Sequence, residues 1–295
     1  MKLACATARM ALNKVLVATD LSVVSSSALR FALAISRRYD SKLFVTNVVS
    51  PAESAWVPPE YWVSSEQIEQ VVRQQMDKLS AKLSGVPIET LIDHGGVAEA
   101  ISAEVEELGI DLLVLGTHGR KGFDRLVMGS VAEEIFRRVA CPVLTVGPGA
   151  MSCSPGEAEF KEIIFTTNFG PESLAAAPYA ISLAQEFQAR LTLLNVVTEH
   201  IDACTDPQLI VLDRISRLRA LIPEEAELWC RPECVVEFGR AGENILRVAQ
   251  ERRADLIVLG AKSAQGHTAA ATHLLPATAH KVVCGATCPV MTVRA

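Results

Sequence analysis

Two glycine turns hold the residues whose types and spacing could do chemistry. Gly116-Thr-His-Gly119 ends the apolar run Asp111-Leu-Leu-Val-Leu115, and ten residues on Gly129-Ser130 opens a stretch in which Val131, Ile135 and Val139 recur at helical spacing. An apolar run between turn signals reads as a central strand of a parallel sheet, and the periodic stretch after it as a helix. Where a strand end meets a helix start through glycines, free backbone N–H groups and the helix dipole converge on an anion. The missing Cβ lets those amides approach phosphate oxygens. Arg120, Lys121 and Arg125 fall in the same loop and would complement a triphosphate. The plain alternative is that one glycine only ends a strand, the other only starts a helix, and the cations are solvated. Nothing fits the Walker pattern G-x-x-x-x-G-K-[ST] or the G-x-G-x-x-G fingerprint. His118, His94 and Glu133 are nearby candidates for base chemistry, but no base, nucleophile and orienting group are arranged for catalysis, so no catalytic residue is assigned.

The elements that must position these turns alternate. Lys14 to Thr19 reads as a strand ending at Asp20, after which Ser25, Ser26 or Ser27 can cap a helix carrying Leu29 and Leu33 on one side. Leu43 to Val49 is a β-branched strand. After the proline-rich loop Pro51 to Pro59 comes a helix, Gln67 to Leu83, with Ile68, Val71 or Val72, Gln75 or Met76, and Leu79 in phase. A third strand, Ile88 to Ile92, is followed by a helix, Val97 to Leu108, facing inward through Val97, Ile101, Val105 and Leu108. The strand at Asp111, the glycine loop, the Val131 helix and a last strand, Val143 to Val146, complete a βαβαβαβαβ order. Such alternation gives a parallel sheet with right-handed crossovers.

Gly147 to Gly156 then breaks the pattern, and the same pattern restarts. Lys161 to Asn168 parallels Asn13 to Asp20, Leu191 to Val197 parallels Leu43 to Val49, Ala254 to Gly260 parallels Ile110 to Gly116, and Thr287 to Val293 parallels Ala140 to Val146. The expected fold is therefore α/β and Rossmann-like: two tandem open parallel five-stranded sheets with helices on both faces. The expected division is a domain over 1–147, a linker over 148–158 and a second domain over 159–295. Pro178 falls within the second copy's first helical pattern, and the helix is expected to begin less than a full turn upstream of it, where a missing N–H is harmless. The copies differ at the candidate site: Asp20 becomes Asn168, and Pro276-Ala277 stands where Gly129-Ser130 stood. Proline removes a donor amide and alanine removes the hydroxyl, so the second domain is expected to keep the fold and to have lost triphosphate binding. Lys262 or His267 could still serve a different anion.

The chain has 295 residues, 49% of them hydrophobic, a net charge of −6 and a pI near 5.6. That length and apolar content suit two domains with real cores, and the acidity argues against nucleic acid as the main partner. No apolar run approaches a membrane span. Met1 to Asn13 lacks the apolar core of a signal peptide and is expected to be an irregular start, with Met10 a second candidate initiator. Eight cysteines scattered over a large apolar chain fit reduced thiols of a cytosol. Pro232, Gly285 and Pro289 disfavour shared helical faces for the Cys230/Cys234 and Cys284/Cys288 pairs, and no metal site is assigned.

Gly116-x2-Gly119-x9-Gly129-Ser130, preceded by Asp-Leu-Leu-Val-Leu and followed by Cys141-Pro-Val-Leu-Thr-Val146, resembles the nucleotide-binding signature of the universal stress protein family. The resemblance implies an adenine nucleotide alpha-hydrolase-like fold and ATP as the ligand, with or without a bridging Mg ion. It further implies that Ala18, Thr19 and Asp20 line the base, Asp20 bonding base or ribose. Val48 would offer backbone groups to the adenine edge, and Leu115 with Gly116 would close the ribose side. Gly119, Arg120, Gly129, Ser130 and Val131 would hold the phosphates. These positions all fall at carboxyl ends of strands or on the loops leaving them, where such a topology places a ligand.

The implied function is a cytoplasmic, nucleotide-responsive stress protein that acts by binding and not by turnover. One competing class is an enzyme of the alpha-hydrolase-like group with slow ATP hydrolysis, disfavoured because Asp20-Leu-Ser-Val-Val-Ser-Ser-Ser lacks the glycine of a phosphate motif after the first strand. A scaffold that binds no nucleotide is the other, disfavoured by the Gly116 to Ser130 loop. The last strands, Val143 to Val146 and Val290 to Val293, would expose pairing groups at sheet edges. Family members commonly cover them by dimerising, and in a tandem chain the two halves are expected to pair as an internal pseudo-dimer, with a homodimer also open to it.

Overall fold

The computed structural model describes residues 10–50, 65–116, 129–152, 158–198, 206–224, 226, 230, 232–261 and 277–294. The chain divides into two compact units between Ala158 and Glu159. The first runs β1 (Lys14–Ala18), α1 (Val23–Tyr39), β2 (Lys42–Val49), α2 (Ser65–Ser80), β3 (Ile88–His94), α3 (Val97–Leu108), β4 (Leu112–Gly116), α4 (Ser130–Arg138) and β5 (Val143–Val146). Its strands are parallel in the order β3-β2-β1-β4-β5. The second runs β6 (Glu162–Thr166), α5 (Pro171–Phe187), β7 (Arg190–Val197), α6 (Pro207–Arg219), β8 (Glu233–Phe238), α7 (Ala241–Arg252), β9 (Leu256–Ala261), α8 (Ala277–Gly285) and β10 (Val290–Arg294), in the order β8-β7-β6-β9-β10. Both are the expected open α/β sheet. Among the described residues no helix is long and apolar enough to cross a membrane.

The central strands are covered on both faces, which is why they read as continuous apolar runs: Val15, Leu16, Val17, Leu112, Leu113 and Val114 are fully buried. Register is fixed at the amino ends by an aspartate. Asp111 Oδ2 accepts the amides of Asn13 and Lys14 at 2.8 and 2.9 Å, tying the start of β1 to β4. Asp255 does the same for Lys161 and Glu162 at 2.8 and 2.9 Å. The aspartate before each of these apolar strands is therefore structural.

Four details differ from the sequence reading. The cap of α1 is Ser22, whose extended backbone follows the left-handed Leu21 (φ 63°) and lets its Oγ accept the Ser25 amide at 3.3 Å. Ser25, Ser26 and Ser27 lie inside the helix, and its buried face runs through Leu29, Ala32, Ile35 and Tyr39 with Leu33 only half-buried. Val131 is 40% exposed, because α4 turns Ala132, Ile135 and Phe136 inward instead. The linker carries a 3-10 turn, Pro148–Ser152. Pro178 lies well inside α5, which begins at Pro171. The ring sits on the solvent face while Ala176, Ala177, Ala180, Ile181 and Ala184 are buried, so packing on the sheet outweighs the lost hydrogen bond.

Candidate functional site

In the first unit the strand order reverses between β1 and β4: the chain leaves β1 toward β2 on one side and reaches β5 on the other. Connections diverge there, leaving a crevice at the carboxyl ends of the two strands. Ala18, Thr19 and Asp20 leave β1 into it, Leu115 and Gly116 end β4, and α4, which follows β4, presents its amino end at the same edge of the sheet.

Thr19 is the anchor of this edge. Its amide donates to the Thr46 carbonyl at 2.9 Å, and its carbonyl accepts Asn47 Nδ2 at 2.7 Å. Its buried hydroxyl donates to Ser25 Oγ at 3.0 Å and accepts the Leu21 amide at 3.0 Å. Asp20, half-buried, closes the turn by accepting the Ser22 amide on Oδ1 at 3.0 Å. Burial raises its pKa, but bonds from the Ser22 side chain and backbone and from Ser25 outweigh that and hold the carboxyl below its ordinary value. The twin turn in the second unit is built alike. Thr167 accepts the Phe169 amide at 2.9 Å, Asn168 Oδ1 accepts the Gly170 amide at 3.0 Å, Phe169 is left-handed (φ 63°), and Asn195 Nδ2 donates to the Thr167 carbonyl at 2.7 Å. A neutral Asn168 thus makes the same turn, so the charge on Asp20 is surplus to what the turn requires.

The structure brings Ala18, Thr19, Asp20, Val48, Leu115 and Gly116 to one end of the sheet. Ala18, Val48 and Gly116 are half-buried; Leu115 is buried, so only its backbone could meet a ligand. Pairing of β1 with β2 reaches Ala18 opposite Thr46, and β2 continues to Val49, which places Val48 beyond the end of β1. Gly260, the counterpart of Gly116, has a packing reason: an added Cβ would lie 2.3 Å from the Glu172 carbonyl oxygen, in the first turn of α5. A glycine at this strand end therefore serves helix packing as well as any ligand.

Gly129 caps α4 at φ −60° and ψ 142°, a conformation open to any residue, and brings no side chain of its own to cap the helix. Gly129 itself therefore offers no competing oxygen to the first-turn amides, which begin at the exposed Ser130 and Val131. Gly119, Arg120 and His118 lie outside the described residues, as do Pro276, Lys262 and His267 of the second unit. His94 is exposed at the end of β3, its Nε2 3.4 Å from Glu69 Oε2. Among the described residues no three metal-ligating side chains cluster. Burial pushes the Cys230 thiol up to about 11, which makes it a poor nucleophile.

Asn47 is the positioning residue that sequence reasoning passed over. A buried asparagine in a β-branched strand, repeated as Asn195 in its twin, was a usable signal.

The sequence model described as the universal stress protein family matches residues 11–147 and 159–294. A universal stress protein of Methanocaldococcus jannaschii is 32% identical over 143 residues, 45% of this chain and 81% of that protein. One from Bacillus subtilis is 29% identical over 147 residues, 45% of this chain and 98% of its own length. The crystal structure of a universal stress protein from Archaeoglobus fulgidus superposes with a TM-score of 0.69 at 18% identity, over 97% of this chain and 99% of that one.

Proposed function

The chain belongs to the universal stress protein family, and from that premise we propose that its first half binds an adenine nucleotide, ATP in the first instance, and acts by binding and not by turnover. The observation that carries the reading is the amino end of α4 at the crevice edge, capped by a glycine without a side chain and with the Ser130 hydroxyl beside it. A helix end of this kind attracts phosphate oxygens. Asp20 supports the other end of the ligand: its charge is not needed for the turn, and a carboxylate there suits a ribose hydroxyl or an exocyclic amine. A divalent ion such as Mg bridging the phosphates belongs to the same proposal. So does nucleotide binding as the signal that changes what the protein contacts.

In this reading the second half, with Asn168 in place of Asp20, is a scaffold without a triphosphate site. The protein works in the cytoplasm, and the last strands of the two halves find pairing partners in one another or in a second copy.

The test is mass spectrometry of small molecules released from the denatured purified protein, with titration calorimetry of the stripped protein against ATP with and without Mg. Adenine nucleotide in the first, or saturable binding at one site per chain in the second, supports the proposal. A stripped protein that takes up no ATP defeats it.

A further inference from the structure

Beneath the crevice, on the face of β2 covered by α3, lies a buried carboxyl that the nucleotide reading does not use. Glu104 is 8% exposed. Its Oε1 accepts the Thr46 hydroxyl at 2.8 Å, and its Oε2 is buried with no hydrogen-bond partner. An unpaired buried anion costs far more than an unpaired neutral acid, so this geometry favours the protonated group. The charges that reach it do not relieve the cost. Asp93 on β3 and Glu107 on α3 itself are both acidic, and α4's Arg138 is committed to Glu99 and Glu134 at 2.8 and 2.7 Å. Burial first, then these two carboxylates, push Glu104 up to about 7 against the bond from Thr46.

The internal repeat supplies a control. Asn47 and Asn195 make the same bond, so Thr46 corresponds to Leu194. Helices α3 and α7 are both twelve residues long, so Glu104 corresponds to Val248. Leu194 and Val248 are both buried. The fold therefore closes this layer with two apolar side chains in one half and with a hydroxyl and a carboxyl in the other. The polar version is tied to the crevice through a single residue: Thr46 gives its hydroxyl to Glu104 and its carbonyl to the Thr19 amide.

We propose that Glu104 is a proton-binding positioning residue of the first half: as a neutral acid it lets α3 seat on β2, and its ionisation, by leaving Oε2 a buried unpaired charge, loosens that seating and with it the position of Thr46, whose carbonyl holds Thr19 at the crevice. The effect on nucleotide rests on the reading of the crevice given above; the titration does not. Because the folded value lies above the ordinary 4.5, the stability this group contributes is complete at acid pH and is lost as pH rises through about 7.

The experiment follows the Glu104 side-chain carboxyl by carbon NMR in the full chain, with thermal unfolding and ATP affinity measured from pH 5.5 to 8.5. Wild type is compared with Glu104→Gln and with the twin-copying pair Thr46→Leu/Glu104→Val. The expected result is a titration midpoint near 7 and a wild-type unfolding temperature that falls up to about pH 7 and levels off above it, with that fall missing from both variants. ATP affinity should weaken severalfold from pH 6 to 8 in wild type and by less in Glu104→Gln. A midpoint in the ordinary carboxylate range, or variants as pH-sensitive as wild type, overturns the proposal. Wild type that titrates as expected but binds no ATP at any pH leaves the proton site standing and removes the nucleotide reading instead.

Discussion

Asn47 reaches from β2 to the carbonyl of Thr19 at 2.7 Å, closing the end of β1 with a side chain where the strand ladder stops. Both groups are buried, so truncation strands a carbonyl with no water to replace the bond. Asn47→Ala should cost about 1–3 kcal/mol, read as a lower unfolding midpoint in denaturant. It should also weaken ATP binding, while Asn195→Ala costs similar stability through the twin bond to Thr167 and leaves ATP affinity unchanged.

Asp20→Asn copies the second half's turn, in which Asn168 Oδ1 accepts the Gly170 amide at 3.0 Å. The variant should fold. A bond from a charged group contributes about 1.5–3 kcal/mol, so calorimetry should show ATP affinity reduced roughly 10- to 100-fold. The pH dependence has a defined sign as well. The carboxyl is held below its ordinary 3.8, so the stability it contributes is present above that value and is lost as pH falls through the lower folded value. Asp20→Asn should therefore flatten the acid limb of the unfolding curve and lower stability at neutral pH by what the ionised carboxyl contributes there. An unaltered acid limb would contradict the bonding described for Asp20.

The sequence carried the large features because apolar period and turn residues agree there. Helix α3 runs from Val97 to Leu108 as read, since Gly96 and Gly109 bracket it and Gly109 takes the left-handed C-cap (φ 61°). Strand β5 likewise has its expected bounds. The cap of α1 was not legible, because Ser22 and three later serines are equivalent as residue types. What selects Ser22 is the left-handed Leu21 before it, held by the Thr19 hydroxyl. Val131 fits the helical period of Ile135 and Val139, but Ala132 fits that of Ile135 and Phe136 as well, and it is Ala132 that faces inward. At the site, Asp20 and Gly129 were visible as types at the right places. Asn47 showed only through its repeat as Asn195, and Glu104 not at all, because its meaning depends on the neighbour it meets across the sheet.

Pro178 makes a separate prediction about the second half. It is exposed inside α5, where its ring removes a hydrogen bond from the helix ladder. Pro178→Ala restores that bond, and against the loss of proline's restriction of the unfolded chain the net gain should be about 2 kcal/mol. Differential scanning calorimetry should show the second half melting higher by about 4–8 °C. An unchanged or lower transition would mean that α5 is bent to suit the proline.

The most direct measurement of the central claim is ATP titration of Gly129→Asp beside wild type. Gly129 already has the backbone of an ordinary N-cap, so aspartate there should bond the first-turn amides of α4 and make the helix as stable or more so. The same carboxylate would occupy and repel the place assigned to phosphate. The account predicts a folded protein with an unchanged or raised unfolding temperature and ATP affinity lowered at least tenfold. Wild-type affinity in that variant would show that the amino end of α4 is not where the phosphates bind.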